Sequence, residues 1–441
     1  MPSHTASAVA TFIASAALAM SSFCGTAYGT NPDPQASPYM RVVTPDERTL
    51  QLDMAVRTLI PKNPSHPIVH LVGAIHIGDR SYYGDLQAYL DVHDIVLYEG
   101  VGGARTPRLL TDTTRDRRTT EHHLQFLGLM AADVQRRTNS WPQDRDALLG
   151  QFAGTTRTLI ESALTDAWGN QITIIASPDS FDALSLGADH AIGGEDDNED
   201  IRLSDLRAAA AEREIVRESG GLQRDLADAL GLEFQLDGID YTKPHWRNSD
   251  LSIDEIRAAI SGRDAPADAP ANPDAESGKP TDTERAANAL FSALSGESFL
   301  AKTGGFLFKM LGSSPRGRTM IKVMLADTLS HADDLLGSQP GVMGDLMKVI
   351  VDDRNVAVVR DLQAIIENEP TARSVAIFYG AGHFADLETR ISNELGYAWD
   401  STMWIPAMTV DLQQAGMTLD QLAGFRAMMR TSIQRQMRQG Q

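Results

Sequence analysis

The chain has 441 residues, which is enough for about two or three domains and a sizeable core. Its 42% hydrophobic and 22% charged residues are ordinary values for a soluble globular protein. The 59 acidic and 39 basic residues give a formal net charge of -20, which argues against nucleic acid as a partner because phosphate binding needs a basic face. An acidic surface favours cations instead, and calcium in particular is bound by carboxylates.

The first 29 residues contain no Asp, Glu, Lys or Arg. An Ala-rich apolar stretch is followed there by small residues up to Gly29, which predicts a secretory signal peptide over residues 1–29, with a disordered start as the alternative. The only cysteine, Cys24, lies inside this segment, so the mature chain would have no disulfide or thiolate chemistry. No later stretch is apolar enough for a transmembrane helix. We therefore expect an exported protein, either periplasmic or associated with the cell envelope.

Apolar and polar side chains alternate over residues 41–60 and predict two short strands. A buried strand at 70–74, a helix at 81–92 and a second strand at 95–98 then form a βαβ unit, with which a parallel sheet begins. The pattern predicts further helices at 205–232, over most of 284–369 and at 386–395, and one late strand at 375–379. The predicted fold class is therefore α/β, with a mixed sheet and flanking helices.

Two other segments have a distinctive composition. Residues 262–283 carry prolines among Ala, Asp and Ser, and they are predicted to form a disordered linker. Residues 416–441 are predicted to contain an amphipathic helix, which Thr418 and Gln421 would begin as a capping box. Its arginines could contact anionic lipid, but a solvated face is the simpler interpretation.

Two apolar segments match each other, one ending in Gly-Ala-Ile-His76 and the other in Gly-Ala-Gly-His383. A glycine at the end of a strand allows a tight turn, which would place the histidine at the mouth of the sheet. Glu99 ends the buried strand that follows the first copy. Because ligand sites in open α/β sheets lie at the carboxyl ends of the strands, we expect these three side chains at one edge.

Two imidazoles and one carboxylate form a ligand set that suits manganese, iron, cobalt or zinc. A metal held in this way polarises a carbonyl and lowers the pKa of its bound water. The alternative is that His76 and His383 are structural residues near strand ends. Motifs for zincins, serine hydrolases, Walker loops and dinucleotide binding are absent from the sequence.

The order of these motifs resembles the TraB/GumN family, which includes the Tiki-type proteases. Two GxxH motifs, a glutamate after the first and Arg354 before the second are the features that match, and the resemblance covers about 40–105 and 205–415. It implies a divalent-metal-dependent hydrolase or peptidase acting on a peptide or another small substrate. The implied metal is manganese or cobalt, with zinc or iron as alternatives.

The same resemblance implies roles for individual residues. His76, Glu99 and His383 would be metal-binding or catalytic groups, and Arg354 would orient Glu99 or stabilise an oxyanion. An ordinary salt bridge is the alternative for Arg354. His245 lies between a proline and a tryptophan, which favours a packed residue over a catalytic one.

Residues 106–204 interrupt this resemblance and are predicted to form a small α+β inserted domain. From about residue 120, the segment is similar to the globular part of the major pseudopilin of type II secretion. The matching motifs are Thr138–Pro142, Asp166–Asn170, Leu184–Asp189, Gly193-Gly194 and Glu199–Ile201. The histidines at 122 and 123, at the start of this segment, are predicted to be surface residues. The amino-terminal helix with which pseudopilins polymerise is missing, so we expect a docking or spacer domain for a cell-envelope protein.

The pseudopilin resemblance implies a calcium site in an acidic loop. Asp189, Asp196 and Asp197 would be the side-chain ligands, and the Leu186 carbonyl would add a backbone oxygen. Asp200 could replace one of the aspartates, and a solvated acidic loop without an ion is the alternative. For the whole chain, the hypothesis that competes with a hydrolase is a non-catalytic envelope protein that sequesters a peptide, haem or a metal.

Overall fold

The computed structural model describes residues 39–100, 112–212, 222–251, 255, 314–329, 349–424 and 428. The predicted signal peptide, the linker at 262–283 and the end of the predicted C-terminal helix lie outside these ranges. Within them, no helix is both long and apolar enough to cross a membrane.

The strands of the described ranges are, in chain order, β1 (Met40–Asp46), β2 (Thr49–Pro61), β3 (Ile68–Ala74), β4 (Ile77–Gly78), β5 (Ile95–Tyr98), β6 (Thr173–Ser177), β7 (Ser180–Ser185), β8 (Ile201–Arg202), β9 (Glu233–Phe234), β10 (Trp246–Asn248), β11 (Ser374–Gly380) and β12 (Tyr397–Asp411). The helices are α1 (Arg80–Leu90), α2 (Asp112–Thr138), α3 (Arg145–Leu149), α4 (Gly154–Ala163), α5 (Leu203–Glu212), α6 (Leu222–Leu230), α7 (Gln235–Gly238), α8 (Pro315–Leu329), α9 (Arg354–Asn368) and α10 (Phe384–Leu395).

A mixed sheet of seven strands forms the centre of the fold. Its hydrogen-bonded order is β1, β2, β3, β11, β5 and β10, and β12 pairs with β2. β3, β11, β5 and β10 pair in parallel with one another in this order, whereas the pairings of β2 with β1, β3 and β12 are antiparallel. The predicted strands at 41–60 are present as β1 and β2. The predicted βαβ unit is also present, but β11 lies between its two strands.

Helices cover both faces of this sheet. On one face, α1, α2 and α8 share a large apolar cluster with Leu52 of β2 and Val72 of β3. On the other face, α9 and α10 pack on Leu71 and Ile377, and Leu387 is one of the α10 side chains that does so. All seven residues of β11 are buried as a result, which explains its continuous apolar run.

Residues 112–202 form a small α+β arrangement beside α1. The long helix α2 accompanies a three-stranded antiparallel sheet of β6, β7 and β8. Its contact with α1 includes Tyr89 and Phe126, whose ring centroids are 6.0 Å apart. The turn before β6 is closed by Asp166, whose Oδ1 accepts hydrogen bonds from the backbone N–H groups of Trp168 and Asn170.

The capping box predicted near the C-terminus is confirmed. The backbone N–H of Thr418 donates to Oε1 of Gln421 at 3.0 Å, and the backbone N–H of Gln421 donates to Oγ1 of Thr418 at 3.3 Å. These reciprocal bonds satisfy two donors that the first turn of a helix leaves without intrahelical partners.

Candidate active site

The carboxyl ends of three neighbouring strands carry the predicted site residues. His76 follows the end of β3, His383 follows β11 in a short 3-10 turn, and Glu99 follows β5 directly. Because β11 pairs in parallel with both β3 and β5, the three ends lie at one edge of the sheet. The structure therefore places these residues at the edge where ligands bind in open α/β sheets.

The glycines of the two motifs do not form the predicted glycine-specific tight turn. Gly73 lies within β3, and a Cβ atom there would come within 3.0 Å of the Ala55 carbonyl oxygen on β2. Gly380 has φ -52° and ψ 133°, which other residues also adopt. Close approach between neighbouring strands explains the glycine at 73, and the expectation of a glycine-specific turn at both positions was wrong.

Glu99 is fixed by donors on two sides. Its Oε1 accepts a hydrogen bond from Nη2 of Arg354 at 2.6 Å, and its Oε2 accepts one from the backbone N–H of Gly380 at 2.8 Å. Burial raises the pKa of this carboxyl, but Arg354 and His383 lower it, together with His76 and the Gly380 N–H. The sum holds the pKa of Glu99 below its ordinary value, so the side chain is a carboxylate at neutral pH.

Arg354 is the first residue of α9 and follows a π-helical turn over Val349–Asp353. Its side chain is completely buried between Glu99 and Asp250. Nε and Nη2 donate to the two carboxylate oxygens of Asp250, each at 2.7 Å. Burial lowers the pKa of Arg354, but the two carboxylates outweigh this effect and raise it. The guanidinium is thus a permanent charge that orients Glu99.

His383 is completely buried beside Glu99, with its Nε2 at 4.0 Å from Oε1 of the carboxylate. Its other ring nitrogen, Nδ1, is 2.7 Å from Oδ1 of Asn355, the second residue of α9. The amide nitrogen of Asn355 donates in turn to Oδ2 of Asp386 on α10 at 2.9 Å. His383 is therefore held from behind by the two helices that cover this face of the sheet.

His76 is the histidine of the site that remains partly exposed. Its backbone carbonyl accepts a hydrogen bond from the N–H of Gln235 at 2.8 Å, which fixes the turn between β3 and β4. Burial lowers the pKa of the imidazole, Glu99 raises it, and Arg354 lowers it again. His76 is therefore close enough to Glu99 and Arg354 for their charges to change its pKa.

Two imidazoles and a carboxylate are suitable donors for a divalent transition metal. The contact between His383 Nδ1 and Asn355 is also the kind of outer contact that orients a ligating histidine. The 4.0 Å between Nε2 and Glu99 Oε1 is less than the sum of two metal–ligand bonds of about 2.1 Å, so both atoms could reach one ion. Within the described ranges, no three His, Cys, Asp or Glu side chains are arranged to hold a metal ion. The donor types fit a transition metal, and its binding stays a prediction.

The predicted calcium ligands lie in a loop between β7 and β8. Asp196 and Asp197 begin a 3-10 turn, Asp189 is exposed, and Leu186 directly follows β7. The loop is held by backbone bonds, among them the Ala188 N–H to the Asp197 carbonyl at 2.8 Å. In the described part of the chain, this loop included, no three His, Cys, Asp or Glu side chains are arranged to hold a metal ion, and the calcium site stays a prediction.

The prediction that His122 is a surface residue was wrong. Its side chain is only 11% exposed, and its Nε2 lies 3.4 Å from Oδ2 of Asp91. Lys243 and His245 approach the same carboxylate at 3.3 and 3.7 Å. His123 is half-buried, and its Nδ1 lies 2.7 Å from the Thr165 carbonyl oxygen. The cause is that α2 packs on α1, so this part of α2 faces the interior. His245 is packed, as expected.

Two residues of the site were missed by sequence analysis. Asp250 follows β10, which pairs in parallel with β5, so the rule that located Glu99 applies to it as well. Asn355 could have been suspected only from its position next to Arg354. Comparisons with models of protein families, with curated proteins and with solved structures found no match.

Proposed function

We propose that this chain is an exported hydrolase of the TraB/GumN type, and specifically a peptidase, that acts at the cluster of Glu99, His76, His383 and Arg354. This cluster is called the Glu99 site below. The observation that carries the proposal is an ionised, doubly held carboxylate beside a buried imidazole at the carboxyl edge of parallel strands. Such a pair can accept a proton from water and stabilise the resulting imidazolium.

The residues of the site account for a hydrolytic step. The oxygen of a water molecule bonds to the carbonyl carbon of the substrate while one of its protons passes to Nε2 of His383. Glu99 stabilises the imidazolium from 4.0 Å. The imidazolium then returns this proton to the leaving nitrogen as the carbon–nitrogen bond breaks. Arg354 keeps Glu99 ionised and in place throughout this sequence.

The proposed cofactor is a divalent transition metal that His76, Glu99 and His383 would hold, with manganese or cobalt preferred. When bound, such an ion would polarise the scissile carbonyl and lower the pKa of bound water. Charge supports this proposal. Among the described ion pairs of the Glu99 site, the carboxylates of Glu99 and Asp250 both contact the guanidinium of Arg354. Two negative charges and one positive charge leave one negative charge, which favours the binding of a cation.

Exposure indicates how a substrate would reach the site. Arg354 and His383 are completely buried, whereas Glu99 keeps 7% of its side-chain surface and His76 is partly exposed. A substrate therefore approaches past His76 and Glu99, which form the accessible side of the cluster. The substrate we propose is an extended peptide, whose carbonyl carbon would lie at this edge.

The test is a peptide-library assay of the mature protein with Mn²⁺ or Co²⁺, together with a measurement of bound metal. Glu99→Gln is expected to abolish turnover while the circular dichroism spectrum is unchanged. Glu367→Gln, the same change on the exposed side of α9, is the matched control. The double change His76→Ala/His383→Ala is expected to lose about one bound metal per chain. Tight binding of peptide without turnover in the wild type would instead identify a binding protein.

We also infer that residues 106–204 form an inserted pseudopilin-like domain whose acidic loop binds calcium and which docks on a cell-envelope protein. The three-stranded antiparallel sheet with its long helix is compatible with such a domain. The loop carries Gly193 and Gly194 at φ +90° and +105°, where other residues are strained. Such a backbone can turn carboxylates toward one centre, and calcium accepts oxygen ligands in flexible geometry.

A further inference from the structure

Asn355 has a position that gives it more than a packing role. It is completely buried, and its side-chain amide bridges the imidazole of His383 and the carboxylate of Asp386. Asp386 is itself held by Nε of Arg390, one helical turn further along α10, at 2.6 Å. The result is a chain of hydrogen bonds from the surface of α10 to Nδ1 of His383.

Which atom donates in each of these hydrogen bonds follows from Asp386 and Arg390, the two residues farthest from His383. The carboxylate of Asp386 accepts from the guanidinium of Arg390, and it can only accept from Asn355 as well. The amide nitrogen of Asn355 must therefore face Asp386. A second contact agrees with this orientation, because the same nitrogen lies 3.3 Å from the backbone carbonyl oxygen of His383, which also only accepts.

The orientation of the amide determines the tautomer of the histidine. With its nitrogen facing Asp386, Asn355 presents Oδ1 to His383 Nδ1 at 2.7 Å. Two lone pairs facing each other at that distance in a buried site would be strongly unfavourable, so Nδ1 must carry the proton. In the neutral imidazole the lone pair is then on Nε2, the nitrogen that faces Glu99.

Glu99 could not impose this tautomer by itself. The 4.0 Å between its Oε1 and His383 Nε2 is too long for a hydrogen bond. We propose that Asn355, anchored by Asp386 and Arg390, is the positioning residue that fixes neutral His383 as the Nδ1–H tautomer, with the lone pair of Nε2 on the side of Glu99. This inference rests on the proposed function for its catalytic meaning, but the tautomer itself can be observed without turnover.

The test is the nitrogen NMR spectrum of the full mature chain labelled with ¹⁵N-histidine. The His383 signals are assigned by comparison with a His383→Gln sample, and the shifts of the two ring nitrogens identify the protonated one. The wild type is expected to show Nδ1–H for His383. A spectrum with the proton on Nε2, or with both tautomers in rapid exchange, would overturn the proposal.

Two variants separate positioning from packing. Asn355→Leu keeps the volume but removes the acceptor, and it is expected to lose the single tautomer and to lower activity or metal affinity by about 10- to 100-fold. Asn355→Asp/Asp386→Asn exchanges the two side chains and again presents an acceptor to His383, so the Nδ1–H tautomer should return. Asn368→Leu, an exposed asparagine on the same helix, is the matched control.

The outcomes remain distinguishable from failure of the proposed function. An Nδ1–H signal in a chain without hydrolytic activity would leave the positioning role intact and remove only the peptidase proposal. If Asn355→Leu does not fold, the wild-type and exchanged spectra decide the question. Retention of the single tautomer in a folded Asn355→Leu chain would refute the role of Asn355.

Discussion

Replacing Arg354 by Met is the most informative single change, because it removes the buried guanidinium that binds both Glu99 and Asp250. Three hydrogen bonds of 2.6 to 2.7 Å disappear, and all of them are made by a completely buried guanidinium. Afterwards Glu99 keeps the Gly380 N–H and Asp250 keeps the Gly100 N–H. Breaking a buried ion pair from one side typically costs about 3–5 kcal/mol, and we expect a loss of this size at pH 7.

The pH dependence of this loss tests the reasoning. In the wild type the pKa of Glu99 is lowered in the folded state, so its contribution is present above the unfolded value of 4.5 and is lost as the pH falls through the folded value. Without Arg354, burial is expected to raise the pKa of Glu99 above the unfolded value, which reverses the sign. The deficit of Arg354→Met in urea unfolding should therefore shrink between pH 7 and pH 5.

A matched variant provides the control for this experiment. The triple change Arg354→Met/Glu99→Gln/Asp250→Asn removes all three charges, and it should recover most of the lost stability because no buried charge remains unpaired. Arg360→Met, on the exposed side of α9, controls for the substitution itself. A deficit below about 1 kcal/mol in Arg354→Met, or one that grows on acidification, would refute the view that Arg354 holds two ionised carboxylates.

Three further predictions concern stability. Burial lowers the pKa of His70 from 6.5 to about 3 and that of its neighbour His93 well below 6.5. The unfolded state therefore binds more protons, and His70 alone should cost about 3 kcal/mol between pH 7 and pH 4.5. Neither ring nitrogen of His93 has a described hydrogen-bond partner. In urea unfolding, His93→Phe should therefore reduce the dependence of the unfolding free energy on pH without lowering stability at pH 7. An unchanged pH dependence would contradict the lowered pKa of His93. Gly238→Ala would place a Cβ 2.7 Å from the Tyr83 side chain and should cost about 1–3 kcal/mol, whereas an unchanged Tm would contradict this packing. Calcium should raise the Tm of the wild type but not that of Asp196→Asn, and an equal rise in both would exclude Asp196 as a ligand.

The local parts of the Glu99 site could be predicted because each is encoded in a short segment. The apolar run of β11 followed by Gly-Ala-Gly-His383 is visible without any knowledge of the fold. The same holds for β5 and Glu99. A general rule about the carboxyl ends of parallel strands then supplies the shared edge. The predicted position of these side chains at one edge is correct because a short segment determines both the strand and the residue that follows it.

The pairing of the strands could not be predicted in the same way. β11 lies between β3 and β5, although about 280 residues separate Val375 from its partner Ile95. Nothing in either segment specifies the other, since fully buried parallel strands present similar apolar side chains to all neighbours. The burial of His122 was missed for a related reason. Its environment depends on Asp91 and Lys243, which other parts of the chain supply.

Asn355 shows most clearly which part of a site remains hidden in a sequence. Candidate metal ligands and bases are recognised in a sequence by residue type, which singles out histidines and glutamates. The residue that fixes a tautomer can be any side chain with a hydrogen-bond acceptor and a suitable length. Its partners, Asp386 and Arg390, stand on a different helix. Only the packing of α9 against α10 brings these groups together, and the histidine side chain does not reveal which nitrogen will be protonated.

The arrangement also constrains how Glu99 can act. Its two oxygens are held by Arg354 and by the Gly380 N–H, so the carboxylate cannot rotate toward a substrate without losing a buried hydrogen bond. Glu99 is therefore suited to act through its charge on what lies beside it, an imidazolium or a metal ion, rather than as a mobile base or nucleophile. Under the proposed function, His383, whose Nε2 faces this charge, would be the group that exchanges a proton or a ligand. Loss of turnover in Glu99→Gln together with retained metal binding would favour the imidazolium, whereas loss of both would favour the ion.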